Sequence, residues 1–179
     1  MPGPLPGSHW TGAATRNVTY GMPAPLPIVP FRPELAPAFG DLNRAWIERL
    51  FRIEEVDRKV LDHPEEAIIA PGGQIFYAMD GAEPVGAVAA IKMSPTTFEL
   101  AKMAVSPEHR GHGVGERLGR AVVDYAREQG AELVFLETNS ALANAIRLYQ
   151  RLGFVHARPS HPSEYARADV YMELSLTRR

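Results

Sequence analysis

The residues with the clearest chemical potential lie in MAVSPEHRGHGVGERLG, residues 103–119: an apolar run, a Ser-Pro turn, three alternating glycines and an amphipathic pattern. This reads as a strand entering a helix through a glycine-rich loop. In Arg110-Gly111-His112-Gly113-Val114-Gly115 the glycines let the backbone approach a ligand, because they lack a side chain and tolerate positive φ. The first N–H groups of the following helix, through Glu116, have no partners inside it. With the helix dipole behind them they suit a phosphate or pyrophosphate, and Arg110 adds a planar, permanently charged fork.

Two familiar phosphate loops are excluded by spacing. A P-loop requires Gly-Lys-Ser/Thr, and here Gly115 is followed by Glu116 and Arg117. A dinucleotide fingerprint requires GxGxxG, but counting from Gly111 the sixth residue is Glu116, and from Gly113 it is Leu118. No HExxH and no GxSxG occurs, and His109 and His112 have no further clustered ligand, so metal and serine-hydrolase readings are weak.

What remains, Arg-x-x-Gly-x-Gly after a strand, resembles the acyl-CoA loop of the GCN5-related N-acetyltransferases (GNAT). A second stretch, Asn144-Ala145-x-x-Leu148-Tyr149-x-x-Leu152-Gly153-Phe154, is similar to that family's later signature and follows in the expected order. The resemblance runs from about Ile28 to Leu176. It implies an α/β (α+β) single-domain GNAT-like fold: a strongly twisted, mixed sheet of six to seven strands, flanked by about four helices, with a splayed parallel pair at its centre. Acetyl-CoA is the implied cosubstrate, with no metal. Its pantetheine is expected along the backbone of Met103, Ala104 and Val105, and its pyrophosphate at Arg110, Gly111, His112, Gly113, Val114, Gly115 and Glu116. His112 occupies a variable position and reads as a solvent-facing spacer.

The same resemblance assigns further roles. Tyr149 matches the position whose phenol protonates the departing thiolate, the alternative being a core tyrosine on an apolar helix face. Asn144 matches a pantetheine contact, the alternative being a helix-start cap. The attacking amine must be neutral, so a carboxylate should take its proton. Glu99 falls where several relatives carry such a base; Glu137 is the rival, and some relatives use no protein base. The first helices and the late loop are expected to meet the acceptor. There Asn43, Trp46, Glu54 and Asp57 offer carboxylates and an aromatic wall for a cation, and Tyr165 and Arg167 could hold a substrate carboxylate. Simpler readings place Trp46 in the core and leave Glu54 and Asp57 solvated.

The elements that must position these groups follow from periodicity. Residues 1–27 carry six prolines, Pro2, Pro4, Pro6, Pro23, Pro25 and Pro27, and form an N-terminal arm; 28–179 form the acetyltransferase domain. A short strand at 28–31 precedes a helix over 34–51, where Phe39, Leu42, Trp46 and Leu50 make an apolar stripe. A second helix covers 55–62. Strands are expected over 74–79 and 84–91, joined by an Asp-Gly hairpin turn, and over 97–105. After the loop, Val114, Leu118, Ala121, Val122 and Tyr125 share a helix face that stops at Gly130. A strand over 132–138, parallel to its predecessor, precedes a helix over 141–152 and a strand opened by Phe154 and Val155. The last strand spans 170–176. Gly119, inside the helix, suggests close approach to the sheet.

Composition bounds the rest. The chain of 179 residues fits one domain, and a formal net charge of −2 offers no general attraction to nucleic acid or an anionic membrane. Without cysteine there is no disulfide, Cys nucleophile or thiolate metal site. With no long apolar run and no leader-like N-terminus, a cytoplasmic location is expected. The expected activity is acetyl transfer from acetyl-CoA to a primary amine of a small molecule or amino acid, by direct attack. Protein N-terminal or lysine acetylation, or a catalytically silent acyl-CoA-binding module, are the alternatives. The arm is expected to pack either across a partner subunit, as part of a homodimer, or along its own domain.

Overall fold

The computed structural model describes residues 24–177. Seven strands, β1 (Ile28–Pro30), β2 (Gln74–Asp80), β3 (Glu83–Ser94), β4 (Thr97–Val105), β5 (Leu133–Thr138), β6 (Val155–His156) and β7 (Val170–Ser175), form one sheet in the order β1-β2-β3-β4-β5-β7-β6. All neighbours are antiparallel except β4 and β5. The helices are α1 (Ala36–Leu50), α2 (Glu55–Asp62), α3 (Val114–Glu128) and α4 (Ala143–Arg151), with a π-helical turn at Glu65–Ile69. The mixed sheet with its parallel pair is the architecture expected from the sequence. The expectations for residues 1–23 lie outside the described residues; Leu26, at the end of the expected arm, packs against the domain core.

Alternation along the strands splits the interior into two layers. Ile75, Tyr77 and Met79 of β2, with Ala87 and Ala89 of β3, face Phe39, Ile47 and Leu61 of α1 and α2. Ala78, Val88, Ala90, Phe98, Leu100, Val134 and Leu136 face Leu118, Val122 and Ala126 of α3. Fully burying one such side chain stabilises by about 1.5–3 kcal/mol. Helix α3 ends as its glycine signal requires: Gly130 is left-handed (φ 76) and the Ala131 N–H reaches back to the Ala126 carbonyl at 2.9 Å.

Two features position the site. The parallel ladder between β4 and β5 holds only at Thr97–Leu133, Phe98–Val134 and Glu99–Phe135; beyond these pairs the strands part. In β4, Lys102 takes φ 53, the one positive φ among described non-glycine residues. Pairing with β3 slips there, from Ala89–Ala101 to Ala87–Ala104. Two residues, Lys102 and Met103, therefore oppose Val88 alone. Phe98, Leu100, Met103 and Val105 stay on the α3 side, while Lys102 turns to the α2 side with Glu99. A left-handed lysine costs about 1–2 kcal/mol, which the contacts it gains must offset.

Candidate active site

The gap between the parting strands opens into a cleft of about 820 Å³ that continues over the N-terminus of α3 and along α4. On its donor side, β4 uses its β3-facing groups in the ladder at Ala104–Ala87 and Val105–Gly86. No β5 partner exists past Glu99, so backbone groups on that edge are available to an extended ligand. The Arg110 Nε donates to the Val105 carbonyl at 2.9 Å, tying the glycine loop to the strand end and occupying that one acceptor.

Gly111 and Gly113 both sit at φ 76, where a side chain would be strained, and a Cβ at either would meet no atom within 4 Å. That open space lies where Gly113, Val114, Gly115 and Glu116 line the cleft with first-turn N–H groups unpaired inside the helix. This fits a pyrophosphate. Gly115 has a second reason to be glycine: a Cβ there would stand 2.8 Å from Leu148 Cδ1 of α4. Gly119 likewise makes room for Leu152 of α4, so it is the α3–α4 approach, rather than the helix-to-sheet approach expected, that demands it most closely. His112 is exposed and lies outside the cleft lining. The Glu116 carboxylate accepts from Arg120 (2.6 Å) and Arg151 (3.4 Å).

Asn144 lines the cleft and accepts a hydrogen bond from Arg147. It is not the helix-start cap: Leu142 occupies that position and no side chain caps α4. Tyr149 lines the cleft while its ring meets Phe154 edge-on, with centroids 6.2 Å apart. Burial pushes its phenol up to about 12, so it stays protonated.

At the other end Glu99 sits where the ladder stops. It is only 8% exposed and has no hydrogen-bond partner among the described residues, yet it lines the cleft. Burial pushes its carboxyl up to about 7; Lys102 opposes this, and Glu137 and Glu164 add to it. Because Glu99 pairs with Phe135, Glu137 two residues on shares its face of the sheet. Glu137 accepts a hydrogen bond from Ser163 Oγ at 2.8 Å.

The remaining candidate residues form a closed polar network. Asp57, fully buried, accepts from Lys102 Nζ at 2.9 Å and from Arg167 at 2.7 and 2.8 Å. Burial raises its pKa, but Arg167 and Lys102 outweigh that and hold it at about 2. Burial depresses the Lys102 ammonium, with Asp57 as the main opposing influence. Arg167 also donates to Glu54 at 2.8 Å, and Glu54 accepts the Ala166 N–H at 2.9 Å. Glu54 and Asp57 also form the capping box that starts α2. Lys102 donates to the Tyr165 hydroxyl at 2.8 Å.

These contacts correct several expectations. Asp57 is fully buried and Glu54 is tied to Arg167 and the Ala166 N–H, so both carboxylates are already paired within the chain, and Arg167 is engaged by them rather than standing as an unpaired cation. Asn43 does not reach the site: fully buried, it donates to the Phe39 carbonyl at 3.0 Å and accepts from Trp46 Nε1 at 3.3 Å. Trp46 lies at the cleft edge against Phe51. The sequence does not single out Lys102, because a regular strand would turn it to the α3 side with Phe98 and Leu100, and the bulge that redirects it has no local signal.

Among the described residues no group of three His, Asp or Glu is placed to hold a metal, and no helix is long and apolar enough to cross a membrane.

Comparison with known proteins agrees with this geometry. Residues 39–154 match the model of the acetyltransferase (GNAT) family. N-acetyltransferase family 8 member 2 of Rattus norvegicus is 39% identical over 87 residues, 46% of this chain and 38% of that protein. The chain spans about half or less of the length of the curated relatives it matches. A GNAT-family acetyltransferase from Staphylococcus aureus Mu50 superposes with a TM-score of 0.77 at 19% identity, over 85% of this chain and 99% of that one. A Salmonella typhimurium protein solved with its cofactor acetyl-CoA gives 0.69 at 21%, over 86% and 95%. The family match covers the strand-parting gap, the glycine loop and the Tyr149 helix together, and on that basis the chain belongs to the GNAT acetyltransferase family.

Proposed function

We propose that the protein is an acetyl-CoA-dependent N-acetyltransferase that transfers acetyl directly to a primary amine of a small molecule. Acetyl-CoA supplies the thioester. The free edge of β4 and the N–H groups of Val114 to Glu116 hold the donor, so that its acetyl end lies where β4 and β5 part. Glu99, at that point, takes a proton from the acceptor ammonium. The neutral nitrogen then bonds to the carbonyl carbon, the carbon–sulfur bond breaks, and the nitrogen's surplus proton passes to solvent. Tyr149 donates to the departing sulfur and is reprotonated from water.

The observation that carries this reading is Glu99: a buried, unpartnered carboxylate open to the cleft, titrating near 7, which matches the acceptor-side requirement at neutral pH. A small acceptor is favoured because the Arg167–Glu54 and Lys102–Tyr165 contacts tie the late loop to α2 and β4 and hold it against the cleft. The test is release of free thiol from acetyl-CoA with a set of primary amines. Amine-dependent release that collapses in Glu99→Gln supports the proposal. Tight CoA binding with no release for amines or peptides would identify a silent acyl-CoA-binding module instead.

A further inference from the structure

Resting on that reading, we infer that the acceptor is an aliphatic di- or polyamine without a carboxylate beside either amine, its second ammonium held by Glu137. The argument begins with which charges are already satisfied. Two cations, Lys102 and Arg167, and two carboxylates, Glu54 and Asp57, neutralise one another through contacts of 2.7–2.9 Å. Lys102 is 4% exposed at its side chain and Arg167 15%, and both direct their donors into this network. Their charges are already balanced by Glu54 and Asp57, so this group presents an arriving carboxylate with no net positive charge.

What is left facing the cleft around the reacting position is negative. Glu99 is more than nine-tenths buried, unpartnered and open to the cleft. Glu137 lines the same cleft and its one side-chain contact among the described residues is the neutral Ser163 hydroxyl. Their register makes them diagonal neighbours on one sheet face, a spacing on the order of 7 Å that widens as the strands part. A carboxylate on the carbon bearing either amine would face Glu99 or Glu137 with no cation whose charge is not already balanced, at a desolvated site where that repulsion is strong. A second ammonium a short chain away from the first meets Glu137. Arg49, the further cation of this half, lies exposed on the last turn of α1 at the rim, among Leu50 and Phe51, where solvent screens it.

The test uses matched amines: cadaverine, lysine and pentylamine, which differ only by the second amine or the carboxylate, with putrescine and ornithine as a second pair. The expected result is kcat/KM for cadaverine about tenfold or more above both lysine and pentylamine, with the cadaverine-to-pentylamine ratio falling toward one in Glu137→Gln. Lysine used as well as cadaverine, pentylamine used as well as cadaverine, or a ratio unmoved by Glu137→Gln would each overturn the inference while leaving the proposed activity standing. If CoA binds and no amine in the set is acetylated, the inference is overturned, and the wider set of amines and peptides decides the proposed activity.

Discussion

Lys102 Nζ lies 2.9 Å from Asp57 Oδ1, across 45 residues of sequence, with the two side chains 4% and 0% exposed. This single pair joins the β4 bulge to α2, and through Arg167 and Tyr165 it joins both to the late loop. Asp57 is the hub, because it serves two cations while each cation has another acceptor as well.

Removing Asp57 should therefore harm the fold more than removing Lys102. Stranding a buried partner costs about 3–5 kcal/mol. Asp57→Asn leaves buried Lys102 with only the neutral Tyr165 hydroxyl and Arg167 with Glu54 alone, and should reach that range in urea denaturation. Lys102→Met leaves Asp57 paired with Arg167 and should cost less. A larger loss in Lys102→Met would contradict the hub assignment.

Glu99 works against stability at neutral pH. Its folded pKa of about 7 lies above the unfolded value, so the stability linked to it is fully present below the ordinary carboxylate range and is lost as pH rises through about 7. Asp57 acts in the opposite sense, in a separate window: the stability it contributes is lost as pH falls toward about 2. Glu99→Gln should raise the unfolding temperature at about pH 8 and lose that advantage toward about pH 4. Thermal melts across this range check it, and a variant less stable at the higher pH would count against a buried, costly charge.

Tyr149→Phe keeps the ring against Phe154 and removes only the hydroxyl. The expected result is a kcat lower by about tenfold or more with the KM for acetyl-CoA little changed. Equal losses in both would assign the residue to packing.

Gly73 and Gly81 separate two reasons for glycine. A Cβ at Gly73 would stand 2.5 Å from the Ala90 carbonyl oxygen and 2.6 Å from that of Ile68, both backbone. At Gly81 it would meet nothing within 4 Å, and only the φ of +60 opposes it. Gly73→Ala should cost about 3 kcal/mol by overpacking, and Gly81→Ala about 1 kcal/mol by strain. Chemical denaturation orders the two.

The local signals were the legible ones. The Asp-Gly turn places the β2–β3 hairpin, the strand over Thr97–Val105 and the helix over Glu55–Asp62 match the expected bounds, and Gly130 ends α3. The glycine loop marks the donor end because its function lies in backbone geometry. Long-range choices were hidden. β7 inserts between β5 and β6, which nothing in its own alternation dictates. The bulge at Lys102 is settled by Asp57 on a distant helix. Asn43 looked available on a helix face, but its amide turns back to the carbonyl four residues earlier. Glu99 was visible as a carboxylate, while its burial and missing partner required the fold.

The pH dependence of thiol release from acetyl-CoA, in wild type and Glu99→Gln, tests the central claim most directly. With Glu99 as the proton acceptor, kcat/KM rises with pH through an apparent value near 7, and Glu99→Gln lowers it by about 10²–10⁴-fold and removes that rise. A variant that keeps wild-type rates and the same rise would contradict the account.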